Sequence, residues 1–536
     1  MTKEKSLSNI KKQIKSVSKS FTSNFLKKVR GFDKELEDLL YDVQNSHLYR
    51  DDKLFVDLVP RYNTHKIKSE YLLLKDDSNF QLDDFINKHF LSTDASKNIH
   101  HSINKMEPRA YIKSLWGELE RHTSQSLGSL IALPNTYAVS GGRFNEQFYW
   151  DSYFIMLGLA ADNEWDLFEN MMSNITYMID KFGFVPTANR TYFLTRSQPP
   201  FFSRMVALLA EHKGENVMPK YLPYLLSEHE FWMNGRDVLS STNRQSISRV
   251  AKLPDGSILN RYYDNLKDPR PESIGADLQL VGEAGYRRSD SIFLNIRAAA
   301  ESGWDFSSRW FKDEKDIHTI QTVDIVPVDL NCLMFQLEDI IAQVYVLLHQ
   351  PIRAKDFREL SNSRLNSLQK YCWNEDKGYF FDYNFSEKIF MDRPSLAAVF
   401  PLYAKIATSH QAKLVADRLE KDFLKVGGLA TTLVETGQQW DGSNGWAPLQ
   451  WVAIVGLRNY GFNRLADEIK NRWISTNLKI FSKNNCFAEK YNVEKPSLLG
   501  GGGEYIIQLG FGWTNGVLAA LLQEDAKSAS PGMHKN

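Results

Sequence analysis

The chain has 536 residues, and its 65 basic and 65 acidic residues leave a formal net charge of zero. A neutral balance argues against a nucleic-acid-binding protein, which needs an excess of basic residues. The three isolated cysteines give neither a disulfide framework nor a metal-ligand spacing. No stretch reaches the roughly 18 apolar residues of a membrane span, and the N-terminus lacks the continuous apolar segment of a secretory signal. We therefore predict a cytoplasmic protein with no membrane span.

The two ends of the chain differ in composition from its centre. Residues 1–31 form a basic leader in which apolar residues recur at helical spacing between Ile10 and Phe25. This leader is either a membrane-surface or targeting helix, or a solvated extension or outer helix, which we favour. Residues 32–110 are interpreted as an N-terminal arm, and residues 526–536 as a disordered tail.

Residues 111–525 are predicted to be mainly helical. The stretches 330–348 and 446–461 are apolar nearly all round, as expected for inner helices covered on both sides. The stretches 408–424 and 462–480 have one apolar face, as outer helices do, and a further helix is predicted at 201–213, after two prolines. Inner and outer helices alternate, a pattern that suits a ring of helix pairs, although periodicity alone indicates only a mainly α fold.

The most informative segment is ESGWDFSSRW at residues 301–310, which places Glu301 and Asp305 among aromatic rings. A carboxyl group in such surroundings loses hydration and keeps its proton to higher pH, as a general acid must. Three further segments also mix Trp or Tyr with Asp or Glu and glycine, namely residues 140–153, 439–451 and 487–516. Rings can cover the C–H face of a sugar while polar groups take its hydroxyls, so the pattern predicts a carbohydrate site.

These segments resemble the signatures of the trehalases, an inverting class of glycoside hydrolases. Residues 141–153 match the first signature, with Ser140 in place of Pro and Phe148 in place of Tyr, and residues 439–448 match the second, with Ser443 in place of Pro. Shorter matches are ESGWDFSSRW, RSQPP at 196–200, RPES at 270–273, and GGGGEY followed by GFGWTNG. The resemblance covers residues 110–525 and implies an (α/α)6 barrel of six inner and six outer helices.

The resemblance implies that Asp305 is the general acid and Glu489 the general base that activates water. From the residues alone, Asp305 has the alternatives of a helix cap or an ion pair with Arg309, and Glu489 that of a surface charge pair with Lys490. The run after the base has Asn492 where the family has Asp, a departure that leaves the base itself in place. In an inverting enzyme the two carboxyl groups should lie roughly 6.5–9.5 Å apart, which leaves room for a water molecule.

The family motifs also imply substrate-binding residues. A guanidinium group offers forked donors suited to hydroxyl pairs and carboxylates, although a lone arginine is more often part of a surface ion pair. The implied set is Arg143, Phe144, Trp150, Asp151, Asn189, Arg196, Gln198, Arg270, Glu272, Gly303, Trp440 and Glu504. The family has Asn where this chain has Thr187, so a hydroxyl contact there is expected to be shortened, lost or mediated by water. The glycines at 500–503 lack the Lys-Ser/Thr of a phosphate loop and are interpreted as flexible backbone.

The function implied by the resemblance is hydrolysis of α,α-trehalose to two glucose molecules with inversion. We expect a monomer that needs no cofactor and no metal, because two carboxyl groups suffice for glycoside cleavage. Two alternatives remain open at this point. One is a hydrolase of another α-glucoside on the same barrel, and the other is an inactive trehalose-binding sensor, against which the retention of both carboxyl candidates argues.

Overall fold

The computed structural model describes residues 31–92 and 106–529, which are mainly helical. Except for Gly31, the predicted basic leader lies outside these residues. The α-helices in chain order are α1 (Phe32–Glu35), α2 (Glu37–Asn45), α3 (Lys53–Val56), α4 (Thr64–Leu74), α5 (Leu82–His89), α6 (Pro108–Leu119), α7 (Tyr149–Asp162), α8 (Trp165–Phe182), α9 (Phe202–Lys213), α10 (Leu222–Met233), α11 (Arg236–Ser240), α12 (Ile274–Ala284), α13 (Ser289–Ser302), α14 (Val328–Leu347), α15 (Pro351–Tyr371), α16 (Phe400–Tyr403), α17 (Ser409–Arg418), α18 (Ala447–Asn459), α19 (Asn463–Asn484) and α20 (Gly512–Ala529).

The strands of the described residues are only two or three residues long and pair antiparallel. They are β1 (Val59–Pro60), β2 (Phe90–Leu91), β3 (Glu120–Arg121), β4 (Tyr137–Ala138), β5 (Ser246–Ile247), β6 (Val250–Lys252), β7 (Ile258–Asn260), β8 (Ile325–Val326), β9 (Trp373–Asn374), β10 (Tyr379–Phe380), β11 (Tyr383–Asn384), β12 (Ile389–Phe390), β13 (Leu424–Lys425), β14 (Gly428–Leu429), β15 (Asn444–Trp446) and β16 (Lys490–Asn492).

Outer and inner helices alternate from α6 to α20. The inner helices are α7, α9, α14, α16, α18 and α20, and the outer ones are α6, α8, α10, α15, α17 and α19. Each inner helix contacts the next, and α20 returns to contact α7, which closes the ring. The predicted (α/α)6 barrel is therefore confirmed.

Sequence pattern separates the two kinds of helix. The inner helix α7 is buried at almost every position because neighbours cover all its faces. The outer helix α8 buries one stripe that includes Leu167, Met171 and Ile175, and it ends at Gly183, whose φ of 82° is the left-handed conformation that glycine tolerates. The predicted outer helix at 408–424 begins with a capping box formed by Thr408 and Gln411 but is α-helical only to Arg418, after which the chain forms a π-helical turn.

The seam between α7 and α20 depends on glycine. A Cβ atom added to Gly158 would lie 2.5 Å from the Cα atom of Gly516 on α20. Side chains at these positions would force the two inner helices apart, so the small residues fix how tightly the ring closes.

One helix bears on the membrane prediction. The inner helix α14 has 20 residues and is long and apolar enough to cross a membrane by length and composition alone. In the fold, however, 72% of its apolar window is buried. The helix is a core element of the barrel, and its apolar sequence follows from burial on all sides.

The arm and the chain end complete the fold. Helices α1–α5 enclose a small apolar core that packs on barrel residues Phe148, Phe193 and Ile274. The segment 236–327 lies between α10 and α14 and carries α11–α13 and strands β5–β8. Helix α20 continues to Ala529, so residues 526–529 are helical rather than disordered as predicted, and the rest of the predicted tail lies outside the described residues.

Candidate active site

A single cavity brings together the predicted site residues, which come from segments far apart in the chain. It encloses about 760 Å³ of empty space, its mouth included, which is the size of a small-ligand site. All the predicted residues except Asn189 line it, namely Arg143, Phe144, Trp150, Asp151, Arg196, Gln198, Arg270, Glu272, Gly303, Asp305, Trp440, Glu489 and Glu504.

Asp305 follows helix α13 by way of a glycine turn. Gly303 has a φ of 73°, and a Cβ atom there would lie 2.8 Å from the Trp150 ring, so both its conformation and the space around it require glycine. No side chain in the described parts of the chain hydrogen bonds to the Asp305 carboxyl group. Burial raises the pKa of Asp305 to about 7, with the charge of Arg270 opposing the shift and that of Glu504 adding to it. At neutral pH this carboxyl group can hold a proton, as an acid catalyst must.

Glu489 immediately precedes strand β16 and is 1% exposed. Its Oε1 atom accepts a hydrogen bond of 2.7 Å from the Tyr505 hydroxyl, whereas Oε2 has no hydrogen-bond partner among the described residues. Burial raises the pKa of Glu489, and the Lys490 ammonium, with Nζ 3.9 Å from Oε2, and the Tyr505 hydroxyl both oppose that rise. One carboxylate oxygen thus has a hydrogen-bond donor and the other has none among the described residues, so the second can accept a proton from a water molecule.

The ion-pair alternatives for the two carboxyl groups find no support in the contacts. Arg309 pairs with Asp329 at 2.7 Å and with Asp382 at 2.6 Å rather than with Asp305. The Lys490 side chain is fully buried, so its contact with Glu489 is no surface charge pair.

The arginines predicted to bind substrate are held by carboxylates around the cavity. Arg270 donates to Asp277 at 2.6 Å and to Glu504 at 2.7 Å, a pairing that ties the glycine-rich segment to the 270–273 motif. Arg196 pairs with Glu272, another residue of that motif. These ion pairs are buried on the arginine side, so their charges are screened little by water.

Several buried polar atoms of the cavity have no hydrogen-bond partner within the described ranges. They are Nε and Nη1 of Arg196, Oε2 of Glu272 and Oε2 of Glu489. Arg196 Nη1 does lie 3.5 Å from Asp264, beyond a good hydrogen bond. Because unpartnered buried polar groups are costly, such a set is typical of a site whose ligand supplies the missing partners.

Indole rings form one wall of the cavity. Trp440 stacks on Trp446 with ring centroids 3.9 Å apart and lies 5.3 Å from the ring of Trp304. Trp150 adds a tilted contact at 5.7 Å. This stack is a rigid apolar surface of the kind that covers the C–H face of a sugar ring.

A third carboxyl group, Asp151, lies in the same cavity. It accepts a hydrogen bond of 2.8 Å from Ser140, and burial together with the charges of Glu489 and Asp305 raises its pKa to about 7. The charge of each carboxylate in a buried site disfavours ionisation of the others. Ser140, a departure from the family signature, thus has a defined contact.

The structure corrects the predicted role of Asn189 and shows the contacts of Thr187. Asn189 does not line the cavity, because its amide donates to Ile131 O at 2.9 Å and accepts from Gln147 N at 2.9 Å, so it fixes the backbone behind the wall. Thr187 does line the cavity, but its hydroxyl donates to Ser197 O at 2.9 Å.

Some lining residues were not among those predicted. Tyr505 follows Glu504 in the GGGGEY motif, so its position in the motif was an available signal. Lys53 comes from the arm, and its Nζ atom donates to Glu146 at 2.9 Å and to the Arg143 carbonyl at 3.2 Å. Nothing in the sequence around Lys53 indicates this role. Within residues 31–92 and 106–529 no group of three or more His, Cys, Asp or Glu side chains could hold a metal ion.

An (α/α)6 barrel whose ring-lined cavity holds two buried carboxyl groups with different partners suits a glycoside hydrolase, which uses such a pair. The sequence model of the Trehalase family matches residues 47–525. The chain belongs to the trehalase family and is a glycoside hydrolase.

Individual relatives agree with this assignment. Periplasmic trehalases from Salmonella dublin and Salmonella enteritidis are 42% identical over 486 residues, which cover 90% of this chain and 85% of theirs. The solved structure of neutral trehalase from Saccharomyces cerevisiae is 26% identical, with a TM-score of 0.60 over 78% of this chain and 80% of that one. A GH63 mannosylglycerate hydrolase from Thermus thermophilus shares the fold at 19% identity, with a TM-score of 0.52 over 78% of this chain and 100% of that one.

The relatives also correct one prediction. The expected cytoplasmic location is wrong, because the curated relatives that cover most of the chain are named periplasmic trehalases. The prediction rested on the absence of a continuous apolar segment near the N-terminus, and such an absence is no positive evidence for a location.

Proposed function

We propose that the enzyme hydrolyses α,α-trehalose to two glucose molecules with inversion, with Asp305 as general acid and Glu489 as general base. The observation that carries this proposal is the contrast between the two carboxyl groups. Burial raises the pKa of both groups, that of Asp305 to about 7, but no described side chain hydrogen bonds to the Asp305 carboxyl group. The Tyr505 hydroxyl and the Lys490 ammonium, by contrast, favour the ionised form of Glu489.

The reaction then follows in one displacement. Asp305 gives its proton to the oxygen that bridges the two glucose units, and the bond between that oxygen and the anomeric carbon breaks. Glu489 takes a proton from a water molecule, whose oxygen forms the new bond to the same carbon from the opposite face. Asp305 ends as the carboxylate and Glu489 as the acid, and exchange with solvent restores the starting state.

The rest of the cavity suits a compact disaccharide. The tryptophan stack offers a face for a ring, and Arg196, Glu272 and Arg270 offer donors and acceptors for hydroxyl groups. We also propose that the enzyme acts as a monomer, because one chain supplies every residue needed to line the cavity.

A glucose-release assay on the purified protein tests the proposal against its two rivals. We expect turnover of trehalose to exceed that of maltose, sucrose and glucosylglycerate by orders of magnitude in kcat/KM. Preference for one of the other glucosides would make the enzyme a different α-glucosidase on this barrel. Binding of trehalose without release of glucose would make it a sensor.

A further inference from the structure

Glu489, the proposed general base, has a hydrogen-bond partner, Tyr505, that has no role in the reaction proposed above. The Tyr505 hydroxyl donates a hydrogen bond of 2.7 Å to Oε1 of Glu489, and Tyr505 itself lines the cavity. This contact occupies one carboxylate oxygen, whereas Oε2 has no hydrogen-bond partner among the described residues. The hydrogen bond therefore makes the two oxygens of Glu489 unequal.

The ring of Tyr505 is held in place from two sides. The guanidinium carbon of Arg143 lies 4.6 Å from its centroid, and the Phe144 ring meets it edge-on with centroids 5.3 Å apart. The Arg143 side chain is in turn fixed by Asp51 of the N-terminal arm, with Nε and Oδ2 2.6 Å apart in a two-point ion pair. Such a forked pair restricts the guanidinium plane and so the position of the ring beneath it.

We propose that Tyr505 is a positioning residue for the general base, and that Asp51 of the arm holds Tyr505 in place through Arg143. The inference rests on the proposed role of Glu489. A hydroxyl that donates to a carboxylate stabilises its charged form, so Tyr505 keeps Glu489 ionised to lower pH and aims its free oxygen at the water.

Other charges also face Glu489 and set the background of this effect. The Lys490 and Arg143 cations lower the pKa of Glu489. Two carboxyl groups also interact with this part of the cavity. The charge of Glu489 raises the pKa of Asp151, and the charge of Asp305 raises the pKa of Lys490. All of these remain in place when only the hydroxyl of Tyr505 is removed, so that change isolates one hydrogen bond.

The test is the pH dependence of kcat/KM for trehalose in Tyr505→Phe, which keeps the ring and loses the hydroxyl. We expect kcat to fall about 10- to 100-fold, the scale of a hydrogen bond to a charged group, with little change in KM. The acidic limb of the profile, where the base gains its proton, should move to higher pH by about one unit. The matched control is Tyr111→Phe on helix α6. It removes a buried hydroxyl that has no hydrogen-bond partner among the described residues, and it should leave the pH profile unchanged.

The outcomes separate this inference from the proposed function. If Glu489→Gln keeps near-normal turnover, the base is misassigned and both proposals fail. If Glu489→Gln is inactive while Tyr505→Phe keeps the wild-type acidic limb, only the role of Tyr505 is overturned. A fall in kcat without movement of that limb also overturns it, since loosened packing alone would have that effect.

A double-mutant cycle tests the contribution of the arm. Asp51→Asn keeps the shape of the side chain but weakens its hold on Arg143, so we expect kcat to fall by several-fold. If Asp51 acts through Tyr505, the same substitution should have a smaller effect on kcat in the Tyr505→Phe background. Equal effects in both backgrounds would show that Asp51 does not act through the tyrosine.

Discussion

The two ends of the proposed reaction lie in the same buried cavity, yet their surroundings differ. The Asp305 region, after helix α13, offers its carboxyl group no hydrogen bond from any described side chain, and burial raises the pKa of Asp305 to about 7. The Glu489 region, at strand β16, surrounds its carboxyl group with a tyrosine hydroxyl and the Lys490 ammonium. Burial favours the protonated form of both groups. The charge of Arg270 counteracts it at Asp305, and the Lys490 ammonium and the Tyr505 hydroxyl counteract it at Glu489. The proposed acid and base therefore differ in that a described side chain donates a hydrogen bond only to Glu489.

The largest expected effect is on the acid side of this comparison. Asp305→Asn should lower kcat for trehalose by about 10²–10⁴-fold, because the bridging oxygen would leave without a proton. The same variant should keep most of its activity on α-glucosyl fluoride, whose fluoride ion needs little protonation to leave. Steady-state assays on both substrates check this. If Asp151→Asn instead shows that pattern, the proton comes from Asp151, whose pKa is also raised to about 7.

Substitution of the proposed base should, by contrast, affect both substrates. Glu489→Ala should lose about 10²–10⁴-fold on both trehalose and α-glucosyl fluoride, because water is no longer activated whatever the leaving group. Sodium azide, a small anion that can enter the vacated space, should restore turnover and give β-glucosyl azide. Mass spectrometry and NMR identify the product. If Glu489→Ala keeps its activity on α-glucosyl fluoride without azide, the proposed difference in role between Asp305 and Glu489 is contradicted.

A smaller effect is expected at Arg196, which lines the proposed sugar site. Arg196→Lys keeps the charge but loses the planar fork of the guanidinium group, so Glu272 would be left poorly paired. We expect kcat/KM to fall by an amount equivalent to about 2 kcal/mol. The matched control is Arg464→Lys at an exposed ion pair whose arginine side chain is 76% exposed, which should behave as wild type. Equal kinetics for the two variants would place Arg196 outside the binding machinery.

The smallest effect concerns the basic limb of the pH profile. Because Asp305 must be protonated to act, kcat/KM should fall as pH rises through about 7, the raised pKa of this group. The charge of Glu504 helps to raise it, so Glu504→Gln should lower the pKa of Asp305 and move this limb to lower pH. A pH profile of the variant checks the sign. Movement to higher pH would contradict the proposed electrostatic coupling.

How much of this was predictable differs between the fold and the site. The alternation of inner and outer helices could be predicted because α14 and α18 are apolar all round while α17 and α19 carry a single stripe. The motif residues around Asp305 and Glu489 could be named from the family resemblance. The arm's contribution could not, because Asp51 meets Arg143 across 92 residues of sequence and only tertiary packing brings them together. Asn189 was predicted from a motif but does not line the cavity, because a motif does not reveal whether an amide faces the ligand or the backbone.

The stereochemistry of the first turnover tests the central claim most directly. With Asp305 as acid and Glu489 as a base acting through water, each trehalose should release one α-glucose, the leaving sugar, and one β-glucose, the ring that was attacked. Proton NMR in the first minutes, before mutarotation mixes the anomers, should therefore show equal α and β signals. Initial formation of α-glucose alone would mean that the attacked carbon keeps its configuration, and would contradict the assignment of Glu489 as a base acting through water.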